Sequence, residues 1–174
     1  MEQIRDYALW IIPDGETFRD LKKRIDLISC MYSTPSFIPH ITILGRVTGS
    51  ENTLISKGIC LSSIIRPFHI SLTTIEYSDE YFRCLFIKSE RSKELINLHK
   101  KTKTIFNIKN RKYYMPHMSL MYGNLPFHLK KKIISDMGKG YPEHIAIKSI
   151  HLVSASVETD PTTWHNVKEF PLGH

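Results

Sequence analysis

The sequence predicts an α+β protein built of two similar lobes, and three observations lead to this fold class. Short segments of alternating apolar and polar residues indicate strands, whereas apolar residues three or four positions apart indicate helices. A strand, a helix and a histidine-bearing strand follow one another in each half of the chain. No tract rich in Gly, Pro or Ser separates the halves, so we expect residues 1–174 to fold as one domain with a shared core.

The first half begins with a strand and an amphipathic helix. Residues 7–12 form an apolar run that Pro13 ends, which indicates a strand. From Phe18, apolar residues recur at helical spacing through about residue 31. A histidine-bearing strand follows, and Ser50 then stands where it can cap a helix whose apolar residues run from Leu54 to Ile64.

The rest of the chain predicts hairpins and a second set of helices. The alternating residues 68–73 indicate a strand, and residues 82–87 indicate another that pairs back on it. Further elements follow, with helices over roughly 91–106 and 128–138, a second histidine-bearing strand between them, and strands near 144–153 and 164–170. Hairpins mixed with helices in this way are typical of an α+β protein.

One pattern, aromatic-x-Pro-His-x-(Thr/Ser)-apolar-apolar, occurs twice in the chain, within residues 37–45 and 114–123. Successive side chains of a strand point to opposite faces, so His40 shares a face with Thr42, and His117 shares one with Ser119. A single segment of this kind is more often a buried histidine satisfied by a neighbour. Two matched copies favour a functional site instead.

Two imidazoles with an ordinary pKa of about 6.5 can divide the proton transfers of a phosphodiester hydrolysis. One ring accepts a proton from water, and the other donates a proton to the leaving oxygen. The hydroxyls of Thr42 and Ser119 can donate hydrogen bonds to phosphate oxygens. Such a site suits a strained cyclic phosphate, and we expect it to use no metal and no other cofactor.

Other chemistries fit the sequence less well. None of the nine histidines is followed by Asp or lies in a His-Glu-x-x-His segment, so the usual metallohydrolase patterns are missing. A Ser-His-Asp triad is compatible with the composition, but there is no Gly-x-Ser-x-Gly segment. Three cysteines at long spacings do not form a zinc pattern, and we expect them to be reduced core residues. These cysteines are Cys30, Cys60 and Cys84.

The net charge of +7 is concentrated in one stretch, because no acidic residue lies between Glu94 and Asp136. Nine basic residues of this stretch are Lys100, Lys101, Lys103, Lys109, Arg111, Lys112, Lys130, Lys131 and Lys132. The local positive field favours a ligand that carries phosphate. A solvated basic surface is the alternative, particularly for Lys130–Lys132 on a predicted helix.

Several segments resemble enzymes of a known family. They include residues 7–10 with Pro13 and Asp14, residues 37–40, 82–86 and 114–122, and Thr163 with Trp164. In order and spacing, they are similar to plant and yeast enzymes of the cyclic phosphodiesterase family in the two-histidine (2H) phosphoesterase superfamily. The resemblance implies a bilobal fold of two antiparallel sheets with helices around a central cleft. It also implies hydrolysis of ADP-ribose 1″,2″-cyclic phosphate and nucleoside 2′,3′-cyclic phosphates to phosphomonoesters, which arise in tRNA splicing and RNA metabolism.

The resemblance also implies roles for particular residues. His40 and His117 become the acid/base pair, although which one is the base stays open. Thr42 and Ser119 become phosphate donors, and Tyr122 helps to position phosphate or water. Aromatic side chains of the family that could line the cleft and stack on a base or ribose are matched here by Trp10, Phe82 and Trp164. An aromatic residue at such a spacing is also typical of a core.

Residues 107–112 depart from the plant pattern and are more basic. Lys109, Arg111 and Lys112 are therefore candidate substrate-binding residues, and they favour a short RNA or oligonucleotide over a mononucleotide. Alternative functions are degradation of 2′,5′-oligoadenylate or cyclic oligonucleotide signals and processing of RNA ends. A more remote alternative is an RNA-binding module without turnover.

The sequence contains neither eighteen consecutive apolar residues nor the basic-then-apolar layout of a signal peptide at residues 1–6. We therefore expect a cytoplasmic protein with no membrane contact, and we expect a monomer.

Overall fold

In the computed structural model, which describes residues 5–109, 112–138 and 140–173, eight strands form one antiparallel sheet and four α-helices pack against it. The elements of the first half are β1 (Arg5–Ile11), α1 (Gly15–Tyr32), β2 (Ile41–Gly49), α2 (Glu51–Ser63), β3 (Phe68–Tyr77) and β4 (Leu85–Ser89). Those of the second half are α3 (Lys93–Ile105), β5 (His117–Met121), α4 (Phe127–Met137), β6 (Gly140–Ile147), β7 (Ser149–Ser154) and β8 (His165–Pro171). Short 3-10 turns cover Tyr81–Arg83 and Pro161–Thr163.

The strand order is β6-β3-β4-β5-β2-β1-β7-β8, so β2, which His40 directly precedes, and β5, which begins at His117, lie at the centre of the sheet. Four strands lie on each side of the junction between them. That junction is a single described residue pair, Ile41 opposite Met118. The α+β class and the two lobes are confirmed, and the two antiparallel sheets that the resemblance implied are halves of one continuous sheet.

The cap predicted at Ser50 is observed, and a second serine, Ser92, caps α3 in the same way. The Ser50 hydroxyl accepts a hydrogen bond from the Thr53 amide at the start of α2, and the Ser92 hydroxyl accepts one from the Leu95 amide at the start of α3. Each serine thereby satisfies one of the amides that lack a partner in the first turn of a helix.

Two predicted strands differ from those observed. The strand predicted near 144–153 is two strands, because β6 pairs with β3 in one half and β7 pairs with β1 in the other. The chain thus crosses between the halves at Lys148. The strand predicted over 82–87 begins only at Leu85, because Tyr81–Arg83 form a 3-10 turn.

The prediction that the cysteines belong to the core is correct for Cys84 alone. Cys30 and Cys60 are exposed, because they lie on the outer faces of α1 and α2, and all three thiols are free.

Lys130 also differs from the solvated surface considered for it, since its side chain is buried, whereas Lys131 and Lys132 are exposed. The Lys130 ammonium donates hydrogen bonds to the Ser78 carbonyl at 2.8 Å and to the Asp79 carboxylate at 2.9 Å. These two bonds satisfy a charge that would otherwise be costly to bury. They tie α4 to the loop that precedes the 3-10 turn.

Helix α2 packs closely against β8 at Gly58. A Cβ atom built on Gly58 would lie 2.3 Å from Cζ and 2.5 Å from Cε2 of the Phe170 ring, which is itself buried. Only glycine permits this approach without displacement of the ring.

We therefore expect Gly58→Ala to lower the free energy of unfolding by roughly 1–3 kcal/mol through overpacking. This loss outweighs the gain in helix propensity of about 1 kcal/mol that alanine brings in a free helix. Urea denaturation of both proteins measures the difference.

The matched control is the same substitution in a Phe170→Leu background, where the atoms that clash are gone. The loss should shrink or change sign there. An equal loss in both backgrounds would show that the ring is not the cause.

Candidate active site

A cavity of about 570 Å³ lies over the junction of the two halves, and it is called the central cavity below. Both repeated motifs contribute to its wall, as do β1, the 3-10 turn at 81–83 and the loop before β8. Among its lining residues are Trp10, His40, Thr42, Phe82, His117, Ser119, Tyr122 and Trp164. The structure thus brings together all four motif residues that the sequence singled out.

Strand alternation explains why these side chains meet. Ile41 and Met118 have no exposed surface and point into the core, so the residues on either side of them face the cavity. Continuing the antiparallel Ile41–Met118 register by one residue sets His40 across from Ser119, and Thr42 across from His117. Each imidazole therefore lies opposite the hydroxyl of the other motif.

Both histidine rings are held by the same local hydrogen bond. Nδ1 of His40 lies 2.6 Å from the Ile38 carbonyl oxygen, and Nδ1 of His117 lies 2.9 Å from that of Met115. A carbonyl only accepts, so each Nδ1 carries the hydrogen. In the neutral ring, Nε2 is then the nitrogen that can take up a proton. Nε2 of His40 lies 3.5 Å from the Tyr122 hydroxyl.

The two rings differ in electrostatic environment. Burial lowers the pKa of His40 to about 3, against a smaller raising effect of its bond to Ile38, and charge on His117 lowers it further. Burial also lowers the pKa of His117, and Arg83 adds to this, while the Met115 carbonyl and the Glu80 carboxylate oppose it. His40 is buried whereas His117 is only half-buried, so a positive charge costs less on His117, and the pair takes its first proton there.

The hydroxyl groups lie beside the two rings. Ser119 Oγ donates to the Phe82 carbonyl at 2.9 Å, so the hydroxyl must rotate before it can donate a hydrogen bond to a ligand. Thr42 lines the same wall, and its carbonyl accepts a hydrogen bond from the Tyr114 hydroxyl. Burial raises the pKa of Tyr122, which keeps its hydroxyl protonated and able to donate.

The aromatic residues play two different parts. Trp10 is 2% exposed and stacks on His40, with ring centroids 3.5 Å apart and planes 7° from parallel. One face of its indole is therefore covered by the imidazole. Phe82 and Trp164 stack at 5.9 Å beside Trp10, and Trp164 is anchored by donation from Nε1 to the Ser156 carbonyl. These two rings are the more open apolar surface of the cavity.

The basic residues predicted to bind substrate do not all lie at one described cavity. Lys112 lines the central cavity, whereas Lys109 lies on a neighbouring cavity of about 410 Å³. Arg111 lies outside the described residues. We call the neighbouring cavity the lysine cavity, and its lining consists of Lys100, Lys103, Thr104, Asn107, Ile108 and Lys109. Ile108 lines both cavities, so they adjoin.

Apart from Lys112, sequence reasoning missed the charged residues of the cavity wall, which are Asp6, Arg46, Glu80 and Arg83. In the strand predicted over 82–87, Phe82 and Arg83 would point to opposite faces. The 3-10 turn at Tyr81–Arg83 brings both to the cavity instead. The sequence did contain an indication of this turn. Glu80 and Arg83 are three residues apart, a spacing that pairs charges within one helical turn.

Within residues 5–109, 112–138 and 140–173, no three His, Cys, Asp or Glu side chains are grouped so that they could hold a metal ion. The helices of the same residues include none that is long and apolar enough to cross a membrane.

Comparison with known proteins places the fold and the family. The chain is 25% identical over 135 residues to the cyclic phosphodiesterase of Arabidopsis thaliana, with 75% of this chain and 74% of that protein covered. Protein TT0787 of Thermus thermophilus has the same fold, with a TM-score of 0.70 at 13% identity over 96% of this chain and 97% of that one. The structure of E. coli LigT complexed with 3′-AMP matches with a TM-score of 0.67 at 10% identity, over 99% and 100% of the two chains.

The sequence pattern of one family spans most of the chain. It matches residues 6–139, which include both histidine motifs, the 3-10 turn and α4. This protein is therefore an enzyme that belongs to the cyclic phosphodiesterase-like protein family.

Proposed function

We propose that this enzyme opens cyclic phosphates to phosphomonoesters by water attack, without a metal ion. The observation that carries the proposal is the pair of histidines at the starts of adjacent central strands, held by the same kind of backbone hydrogen bond and facing the same cavity. Membership in the cyclic phosphodiesterase-like family supports the same reaction class. The proposed substrates are ADP-ribose 1″,2″-cyclic phosphate and nucleoside 2′,3′-cyclic phosphates.

In the proposed reaction, His40 is the general base and His117 is the general acid. His117 takes the first proton of the pair, and His40 stays neutral because burial and the charge on His117 both lower its pKa. This protonation state is the one that hydrolysis requires. Nε2 of His40 accepts a proton from water as the oxygen of that water bonds to phosphorus. The ring P–O bond breaks, and its oxygen takes a proton from Nε2 of His117.

The neighbouring groups bind the phosphate and the nucleoside in this proposal. Thr42, Ser119 and the Tyr122 hydroxyl donate hydrogen bonds to phosphate oxygens as charge redistributes. Phe82 and Trp164, which both line the cavity, give a base or ribose an apolar surface. Binding of 3′-AMP to the structurally similar LigT supports a nucleotide ligand for this cavity. We propose a monomeric, cytoplasmic enzyme of RNA metabolism that acts on cyclic phosphates of tRNA splicing.

A second candidate function is hydrolysis of longer RNA ends, 2′,5′-oligoadenylate or cyclic oligonucleotide signals. The observation that favours it is the lysine cavity, which adjoins the central cavity at Ile108. A second or third phosphate of an oligonucleotide would there meet three ammonium groups.

The first test is product analysis in EDTA by chromatography and phosphorus NMR. The panel contains ADP-ribose 1″,2″-cyclic phosphate, 2′,3′-cyclic nucleotides and 2′,5′-oligoadenylate. We expect ring opening of the small cyclic phosphates and a loss of roughly 10²- to 10⁴-fold in turnover for His40→Ala and for His117→Ala.

His69→Ala, which removes an exposed histidine on β3, is the matched control and should keep its activity. Near-normal rates in either motif variant would contradict the paired mechanism. Cleavage of oligoadenylate alone would favour the second candidate, and binding of RNA without any turnover would favour a binding module.

The pH dependence of kcat/KM follows from the two lowered pKa values. The free enzyme loses the His117 proton below pH 6.5, so kcat/KM should fall about tenfold per pH unit above that pKa. A bound phosphate raises the pKa of both rings, so the corresponding fall of kcat should lie at higher pH.

Glu80→Gln checks the assignment of the acid. The Glu80 carboxylate raises the pKa of His117, so its removal should move the descending limb of kcat/KM to lower pH. A limb that stays in place would mean that His117 is not the group that titrates there.

Combined Lys109→Ser and Lys112→Ser substitutions test the second candidate. We expect a rise in KM of roughly tenfold for a trinucleotide with a 2′,3′-cyclic end at low salt. The rise should be smaller at high salt, because the release of counterions then contributes less free energy to binding. The KM of a cyclic mononucleotide should change little. Lys131→Ser with Lys132→Ser, on the exposed side of α4, is the charge-matched control, and an equal rise for the mononucleotide would refute length selection.

A further inference from the structure

Arg83 is a largely buried charged residue in the wall of the central cavity. Its side chain is 25% exposed, and the guanidinium pairs with the Glu80 carboxylate one turn earlier. The guanidinium also lies over the Phe86 ring at 5.7 Å, and Phe86 in turn meets the His117 ring at 5.4 Å. Its charge is close enough to His117 to lower the pKa of that ring.

The hydrogen bonds of this guanidinium are incomplete. Arginine carries five N–H donors, and Glu80 takes one from a terminal nitrogen. Nε of Arg83 is buried, and the described residues offer it no acceptor. Buried donors in native proteins nearly always have a partner, so a rotation of this side chain toward an acceptor in the cavity would complete the set.

The charge of the proposed substrate identifies that acceptor. A cyclic phosphate is an anion, and its opening places further negative charge on the phosphate oxygens. The motif donors Thr42, Ser119 and Tyr122 are neutral hydroxyls. The wall also contains Arg46 and Lys112, but both are exposed, so Arg83 is the cation there whose charge is largely shielded from water. A guanidinium presents a planar fork of donors that matches two phosphate oxygens, and Nε is part of that fork.

We infer that Arg83 is a substrate-binding residue that holds the non-bridging oxygens of the reacting phosphate, with Glu80 fixing the orientation of its guanidinium. This inference rests on the proposed function for its substrate, but its central claim is that an anionic phosphate binds at Arg83. The competing explanation is that Arg83 serves only to hold the 3-10 turn through its pair with Glu80.

The test measures phosphate binding and turnover separately in Arg83→Met and Arg83→Lys. Binding of inorganic phosphate and of an adenosine monophosphate product is followed by phosphorus NMR and calorimetry, and turnover is followed with 2′,3′-cyclic AMP. We expect Arg83→Met to raise the Kd of both anions at least tenfold and to lower kcat/KM by roughly 10²- to 10³-fold. Arg83→Lys should recover part of both, because it keeps the charge but loses the fork.

Two controls separate binding from structure. Arg24→Met removes an arginine that likewise pairs with an acid, Asp20, and lies over a ring, Tyr141, but on α1 away from the cavity, and it should bind phosphate normally. Glu80→Gln removes the charge of the partner in the turn, but its amide oxygen can still accept from Arg83, so phosphate binding should weaken much less than in Arg83→Met.

Unchanged phosphate binding in Arg83→Met would overturn the inference, and so would a Glu80→Gln variant that loses binding to the same extent. If the native enzyme opened no cyclic phosphate, the proposed function would fail. Loss of phosphate binding in Arg83→Met would even then support the anion site.

Discussion

The junction of β2 and β5 is the constraint on which the site depends. One residue pair, Ile41 with Met118, joins two four-stranded halves and fixes the register in which the motifs meet. A slip of one residue would turn every motif side chain to the opposite face of the sheet. The complete burial of both residues of the pair opposes such a slip, since it would expose apolar surface on one face and bury polar groups on the other.

Similar motifs acquire different properties because their surroundings differ. Both rings are oriented by a carbonyl two residues earlier, so local geometry does not distinguish them. The two rings are distinguished by their contacts with residues outside the motifs. His40 is buried under the indole of Trp10, whereas His117 meets only the edge of Phe86 and lies near the charges of Glu80 and Arg83. A nearly symmetric fold thereby holds two imidazoles of unequal basicity, which is what separate acid and base roles require.

Local patterns in the sequence were sufficient to predict the helices and most strands, and to single out four motif residues that line one cavity, because periodicity and repeated motifs are short-range signals. They were insufficient where a long-range contact decides the outcome. The burial of Lys130 depends on acceptors about fifty residues earlier, and the covered face of Trp10 depends on His40 across the β1–β2 pairing. The turn at Tyr81–Arg83 overrode an apparent strand, and this kept Arg83 and Glu80 from being recognised.

The chain contains two tryptophans, and both line the central cavity. Trp10 stacks on one proposed catalytic ring, and Trp164 meets Trp10 edge to face at 5.9 Å. All tryptophan emission of the protein therefore originates at the site, without a contribution from elsewhere to dilute it. Occupancy of the cavity and protonation of His40 both alter what surrounds these indoles, so the unlabelled protein carries its own optical reporter of ligand and proton.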